Sequence, residues 1–112
     1  MRGEDLAGLA RTIVSADAAE REAGAEHASD WARFFDDQEA GTVYRLLALM
    51  ASIEPSDRAR EAQLHAIGEI SGWSVPDAAA IAPLFRRPPE GLDDQDRDYL
   101  AELGVLPPGD DD

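Results

Sequence analysis

The sequence predicts an all-α fold: a single small domain of five to seven helices packed as antiparallel hairpins. The strongest signal is a pair of amphipathic segments on either side of a turn at Glu54–Asp57. The apolar residues that recur at helical spacing are Leu46, Leu47, Met50 and Ile53 before the turn, and Ala59, Ala62, Ala66, Ile67 and Ile70 after it. No segment of useful length alternates with the period of two that indicates a strand. One helix pair cannot bury apolar faces this wide, so the pair must stack on neighbours.

Three helices are expected before this turn. Residues 4–36 are covered either by one long helix or by two with a break near Ser15–Asp17 or Gly24. We favour two, because Ser15 and Asp17 are residue types that cap helix N-termini. The third covers Gln38–Ile53 and is capped by Asp36 and Asp37.

The fourth helix is expected to follow the turn directly. Ser56 or Asp57 would cap its N-terminus. The helix would run to Ser71 and stop at Gly72, since glycine is the commonest residue just beyond a helix end.

The C-terminal third is expected to contain two further helices and a tail. Ser74–Asp77 has the pattern of a capping box with proline in the first turn, opening a shorter helix that Pro83 limits or kinks. A last helix is predicted over Asp94–Leu103. With 112 residues the chain has the length of one domain, which we place at residues 1–106, followed by a disordered acidic tail at 107–112.

Few aromatic residues are available to anchor the core, so each is expected to occupy a defined packing site. Trp31, Phe34 and Phe35 are interpreted as core residues. Trp73 follows the glycine that ends the fourth helix and is expected to pack over that end. An exposed tryptophan would instead be the first candidate for a binding hot spot.

The charge balance is strongly acidic. Twenty-four acidic residues face ten basic ones, and the formal net charge is −14. All ten basic residues are arginine, which is typical of a GC-rich bacterial genome. A surface this negative repels nucleic acid and anionic membranes and attracts basic partners. Solubility or adaptation to high salt would give the same composition, so a functional acidic surface and a merely soluble one both stay open.

Several function classes find no support in the residues. The chain has no cysteine, which excludes disulfides and thiolate metal sites. No apolar run approaches the ~18 residues of a membrane span, and the N-terminus lacks the hydrophobic core of a signal peptide, so a cytoplasmic location is expected. Neither a nucleophile elbow nor a phosphate-binding loop occurs. We therefore predict no enzyme activity and no cofactor.

Two patterns suggest metal ligands but do not meet the requirements of a site. Glu61, His65 and Glu69 lie at i, i+4 and i+8 on the fourth helix, where the two glutamates are ~12 Å apart along the axis, too far to share one ion. Asp94, Asp96 and Asp98 imitate the start of an EF-hand loop, but Tyr99 stands where the loop needs glycine and Val105 where it needs glutamate. The sequence predicts no metal site.

The run Glu54–Ile70 resembles the inter-helix turn and second helix of a HEAT repeat. An acidic, proline-containing turn precedes a small apolar residue and an arginine, Ala59-Arg60, and an alanine-rich core ends in an apolar–glycine pair, Ile67-Gly68. Leu46–Ile53 would supply the preceding helix, so the resemblance covers one repeat. It implies a scaffold that binds macromolecules, with the second helix lining the concave side.

In size, acidity and helical content the chain is also similar to small bacterial immunity proteins that neutralise toxins. This likeness implies a non-enzymatic protein-binding module, an immunity protein or antitoxin whose acidic surface occludes a basic toxin such as a nuclease. The candidate partner-binding residues form two surfaces: Asp93, Asp94, Asp96 and Asp98 on one, and Glu61, His65 and Glu69 on the other. The alternative is a structural or regulatory subunit that self-assembles or joins a larger complex. The sequence does not indicate the oligomeric state.

Overall fold

The computed structural model describes residues 3–86, with side chains to Leu84, together with Asp94, Arg97, Asp98 and Ala101. This part of the chain is all-helical, as predicted. Its elements are α1 (Gly3–Ile13), α2 (Ala18–Asp30), a short 3-10 helix (Ala32–Phe34), α3 (Asp37–Ile53), α4 (Asp57–Ser71) and α5 (Ala78–Arg86). The four isolated residues near the C-terminus are helical as well, within the predicted Asp94–Leu103; the predicted tail at 107–112 lies outside the described residues.

Asp17 is confirmed as the cap of α2, and Asp36 but not Asp37 as the cap of α3. Asp17 caps α2 by accepting a hydrogen bond from the backbone N–H of Glu20 at 3.2 Å. Asp36 and Glu39 form a reciprocal capping box on α3: each side chain accepts from the other residue's backbone N–H, at 2.8 and 2.9 Å. Asp37 is the first residue of α3 and takes no part in this box.

The predicted bounds of α4 are also confirmed. Ser56 caps its N-terminus through a 3.3 Å hydrogen bond from the N–H of Ala59. The helix ends at Ser71, and the N–H of Gly72 donates to the carbonyl of Glu69. Gly72 stays in the right-handed region with φ of −71°, so this end does not use the left-handed conformation that favours glycine.

The predicted start of α5 is wrong. Ser74 and Pro76 precede the helix, which begins at Ala78. Ser74 instead ties the α4–α5 loop to α3: its carbonyl accepts from the hydroxyl of Tyr44, and its own hydroxyl donates to Asp37. Pro83 lies inside α5, which continues to Arg86, so the proline does not end the helix.

The helices pack in two rows. Helices α1, α3 and α5 contact one another in that order, α2 contacts α4, and the pairs α1–α2 and α3–α4 join the rows. This is the pattern of consecutive helical hairpins stacked side by side. The largest fully buried side chains of the described core are Tyr44, Ile13, Leu47, Leu64, Ile67, Ile70, Leu84, Gln63 and Val43. Within the described ranges, no helix combines the length and hydropathy that crossing a bilayer requires.

The aromatic residues divide between core and surface. Phe35 is buried, and Trp31 packs partly on the core and stacks on His27 with ring centroids 5.9 Å apart. Phe34 is 58% exposed because the 3-10 turn directs it outward, where the guanidinium of Arg33 covers its ring; its assignment to the core is wrong. Trp73 is 64% exposed, so its expected packing over the end of α4 is wrong too.

The closest approach of α1 to α2 depends on Gly24. A Cβ at this position would lie 2.8 Å from the backbone nitrogen of Ile13 and 2.8 Å from Oγ1 of Thr12. Both atoms belong to α1, and one is backbone, so a side chain at residue 24 would push the two helices apart.

We therefore predict that Gly24→Ala lowers the free energy of unfolding by about 1–3 kcal/mol, the usual cost of overpacking a tight contact. Chemical denaturation monitored by circular dichroism measures this change. The matched control is Gly8→Ala on α1, where a Cβ would meet nothing within 4 Å. Because alanine favours the helix over glycine, this variant should raise the free energy of unfolding by about 0.5–1 kcal/mol. Equal effects of the two variants would contradict the close-contact argument.

Candidate functional site

An open groove of about 300 Å³ lies between α2 and α4. The residues that line it are Glu22 and Glu26 from α2 and Arg58, Glu61, Ala62 and His65 from α4. We call it the α2–α4 groove.

Helix periodicity places these side chains on facing edges of the two helices. Glu22 and Glu26 are four residues apart on α2, so they share one side of that helix. The four α4 residues follow the spacing i, i+3, i+4 and i+7, which also marks a single side. Ala62 is half-buried between the helices, and its small side chain leaves the space that forms the groove.

The charges around the groove are mainly negative. Three carboxylates face it from two helices, against the single guanidinium of Arg58, and Glu26, Glu61 and Arg58 are exposed. His65 is half-buried in the wall. Such a site can bind guanidinium or ammonium groups through charge-assisted hydrogen bonds. Within the described ranges, no group of three histidine, cysteine, aspartate or glutamate side chains is placed to hold a metal ion.

The structure brings together part of one predicted surface. Glu61 and His65 both line the groove, whereas Glu69 is exposed one turn further along α4 and does not line it. Sequence reasoning missed Glu22 and Glu26. Their i, i+4 spacing was a usable signal for a shared acidic edge on α2, but nothing in the sequence indicated that this edge faces α4.

The second predicted surface is described only in part. Asp94 and Asp98 are helical and exposed, which suits a binding surface as well as a solvated helix face. Asp93 and Asp96 lie outside the described residues.

A buried ion pair joins α2 to the α3–α4 turn. Arg21, the residue before Glu22, binds Glu54 in a bidentate manner: Nε and Nη2 donate to the two carboxylate oxygens, both at 2.7 Å. Its Nη1 donates to the backbone carbonyls of Ser15 and Ala16, at 2.9 and 3.0 Å. One guanidinium therefore connects the α1–α2 turn to the α3–α4 turn.

Further donors from the N-cap and the middle of α4 satisfy the same carboxylate. Gln63 Nε2 donates to Glu54 at 2.8 Å, and the backbone N–H of Ser56 donates at 3.1 Å. The side chains of Glu54 and Gln63 are fully inaccessible to solvent. Since Arg21 belongs to α2 and Gln63 to α4, the Glu54 carboxylate holds these two helices together.

The pKa of Glu54 reflects two opposing effects. Burial alone would raise it, because a carboxylate is poorly stabilised away from water. The hydrogen bonds from Arg21, Gln63 and Ser56 stabilise the ionised form and outweigh burial, so the pKa lies below its ordinary value of 4.5. The hydrogen bond to Glu54 likewise raises the pKa of Arg21, and the pair is charged at neutral pH.

Comparison with known proteins finds no matching family model, no matching curated protein and no matching solved structure. The HEAT-repeat resemblance therefore stays a prediction from the residues.

We predict that Arg21→Met lowers the free energy of unfolding at pH 7 by about 3–5 kcal/mol, because it leaves the Glu54 carboxylate buried without its counter-ion. The folded-state pKa of Glu54 is lowered in the native protein, so the stability that this ionised group contributes is present above pH 4.5 and lost as the pH falls through the lower, folded-state value. Glu54 can protonate in the variant, so the difference between the two proteins should shrink in acid. Denaturant titrations at several pH values measure it.

The control for this experiment is Asp57→Asn. Asp57 pairs with Arg60 at 2.7 Å. The Arg60 side chain is only 7% exposed, but that of Asp57 is 88% exposed and asparagine can still accept a hydrogen bond from Arg60, so the loss should stay well below that of Arg21→Met. A pH-independent difference between Arg21→Met and the native protein would show that the lost contribution is packing rather than charge.

Proposed function

We propose that this protein binds a basic protein partner, stoichiometrically and without chemistry, through the α2–α4 groove. The observation that supports the proposal is the juxtaposition of Glu22, Glu26 and Glu61 around one groove in a chain of net charge −14. Two separate helices supply these carboxylates, and the buried Arg21–Glu54 pair fixes the helices beside them.

The groove offers a basic side chain both charge and apolar contact. An incoming arginine can lay its methylene stem on Ala62 while its guanidinium hydrogen-bonds to Glu26 or Glu61. Arg58 at the same groove repels a second cation nearby, which favours one register of the partner over others. The negative charge of the whole chain accelerates encounter over a distance comparable to the Debye length.

The concrete form of the proposal is an immunity protein or antitoxin of bacterial origin, with the cytoplasm as the expected compartment. A nuclease toxin must carry a positive surface to receive phosphate. Carboxylates of the groove would take the place of these phosphates and occlude the active site. Asp94 and Asp98, both exposed, are a second surface that the same partner could contact.

A structural or regulatory subunit is the second candidate function. The specific observation that favours it is a pair of exposed large apolar side chains on one side of α3, Leu49 and Ile53, which are four residues apart. In that case the acidic residues would serve solubility alone. A complex isolated from lysate would then not dissociate when the salt concentration is raised.

The test of the acidic-groove proposal is a pulldown from native lysate with tagged protein at low and high salt, followed by mass spectrometry. We expect a basic protein that is held at low salt and released at high salt, since exposed charge pairs are screened. Glu26→Gln/Glu61→Gln should weaken this capture at low salt by about tenfold or more, the effect of losing one to two charge-assisted contacts.

The matched control is Glu4→Gln/Asp5→Asn, which removes the same number of charges from exposed positions on α1, a helix that does not line the groove. A third variant, Asp94→Asn/Asp98→Asn, tests the second surface. Equal weakening by all three variants would mean that net charge alone attracts the partner and would refute the groove. Recovery of a salt-indifferent complex would favour the subunit function.

A further inference from the structure

The outer side of α3 carries an apolar face that the rest of the described chain leaves uncovered. Leu46, Leu49, Met50 and Ile53 recur at intervals of three, one and three residues, so they share one side of the helix. Leu49 is 48% and Ile53 51% exposed, while Leu46 and Met50 are half-buried against the core. We call these four residues the α3 apolar face.

The face extends beyond α3 at its C-terminal end. Arg21 contacts the carbonyl of Ser15 and the carboxylate of Glu54 with the same guanidinium. The residues immediately before these two, Val14 and Ile53, therefore lie at the same end of the molecule, and both are about half exposed. Exposed apolar area on α3 and on the α1–α2 turn makes a broader contact surface than a single row of side chains.

The electrostatics of this face differ from those of the rest of the protein. The stretch Ala40–Ile53 contains no acidic residue and one basic residue, Arg45, which is exposed. In a chain of net charge −14, this stretch contributes no carboxylate to a contact between two copies.

We propose that a second copy of this chain docks on the α3 apolar face, with the two α3 helices antiparallel across a two-fold axis near Leu49. A two-fold contact must be self-complementary, because the same residues supply both sides. With the axis at Leu49, a residue before Leu49 in one copy lies opposite the residue equally far after Leu49 in the other copy. Arg45 and Ile53 are each four residues from Leu49, so Arg45 of one copy lies beside Ile53 of the other.

This antiparallel arrangement also places the positive charge of Arg45 near the C-terminal carbonyl groups of the partner's α3. The C-terminal end of a helix carries partial negative charge on its last carbonyls, and a cation nearby is stabilising. Helix α3 has no basic residue in its own last turn. Within one copy, Nη1 of Arg60 already lies 3.5 Å from the carbonyl oxygen of Glu54, the residue that follows α3. In the antiparallel pair, Arg45 of each copy adds a further cation to the other copy, twice per dimer, while the leucines and Met50 pack between them.

The inference is independent of the proposed function, because the two surfaces lie in different rows of helices. The α2–α4 groove belongs to the row of α2 and α4, whereas the α3 apolar face belongs to the row of α1, α3 and α5. A dimer formed through α3 would therefore keep both grooves open and present two of them to a partner.

The absence of cysteine from the chain allows a direct test. A cysteine at a position on the two-fold axis can form a disulfide with its own copy only if the Cβ atoms come within about 4.5 Å. We expect Leu49→Cys to cross-link under mild oxidation at least about tenfold faster than Val75→Cys, a control that is 90% exposed on the α4–α5 loop. Equal rates would overturn the proposal.

A second measurement does not depend on cysteine chemistry. Sedimentation velocity over a range of protein concentrations should show a monomer–dimer equilibrium in the native protein, strengthened by salt because screening reduces repulsion between the acidic copies. Ile53→Glu should weaken dimerisation by about tenfold or more, the effect of desolvating a charge in an apolar contact. Val75→Glu adds the same charge and should leave dimerisation unchanged.

The remaining outcomes also decide the question. A native protein that stays monomeric at every concentration and salt overturns the proposal and assigns the face to a different partner. Dimers that survive Ile53→Glu while circular dichroism shows an intact fold overturn the α3 interface. Neither outcome bears on the α2–α4 groove, whose own test uses different residues.

Discussion

The relative position of α2 and α4 depends on one buried ion pair, Arg21–Glu54. Arg21 holds the carbonyls of the α1–α2 turn with one nitrogen and the carboxylate at the α3–α4 turn with the other two. Gln63 and the backbone of Ser56 complete the carboxylate's hydrogen bonds. A buried charge pair stabilises little unless its hydrogen bonds are well satisfied, so this completeness is what makes the arrangement tolerable. The ion pair therefore fixes the α1–α2 hairpin relative to the α3–α4 hairpin, and with it the distance between the two helices that line the groove.

The charge of the molecule is distributed unevenly over its two rows of helices. Carboxylates from both α2 and α4 gather at the groove, where Glu22, Glu26 and Glu61 face a common space. The outer face of α3 has no carboxylate from Ala40 to Ile53 and exposes apolar side chains instead. The acidic groove and the exposed apolar side chains of α3 therefore lie in different rows of helices.

Local sequence signals were sufficient for the helices, because the interactions that bound them span only a few residues. The capping box of α3 joins Asp36 to Glu39, and the cap of α4 joins Ser56 to Ala59. The same reasoning failed at Ser74, whose capping pattern is intact but whose backbone carbonyl and hydroxyl bind Tyr44 and Asp37 from α3. Here a long-range contact overrides the local preference.

Only one wall of the candidate site could be predicted from the sequence, because the other wall depends on long-range packing. The spacing of Glu61 and His65 marks one side of α4, and the structure places both in the groove. The opposite wall depends on how α2 packs, which no local pattern specifies. Arg21 and Glu54 are residue types that are rarely buried, and their pairing across 33 positions becomes visible only in three dimensions.

Folding kinetics should also reflect the separation between Arg21 and Glu54. Their contact closes a loop that contains all of α3, and it can form only after both hairpins have docked, when the core excludes water from the carboxylate. Interactions of this kind are absent from an early transition state and add their stability afterwards. The ion pair would then leave the rate of folding nearly unchanged and chiefly slow unfolding. In a cell, that lengthens the lifetime of the folded chain against proteolysis wherever opening limits cleavage.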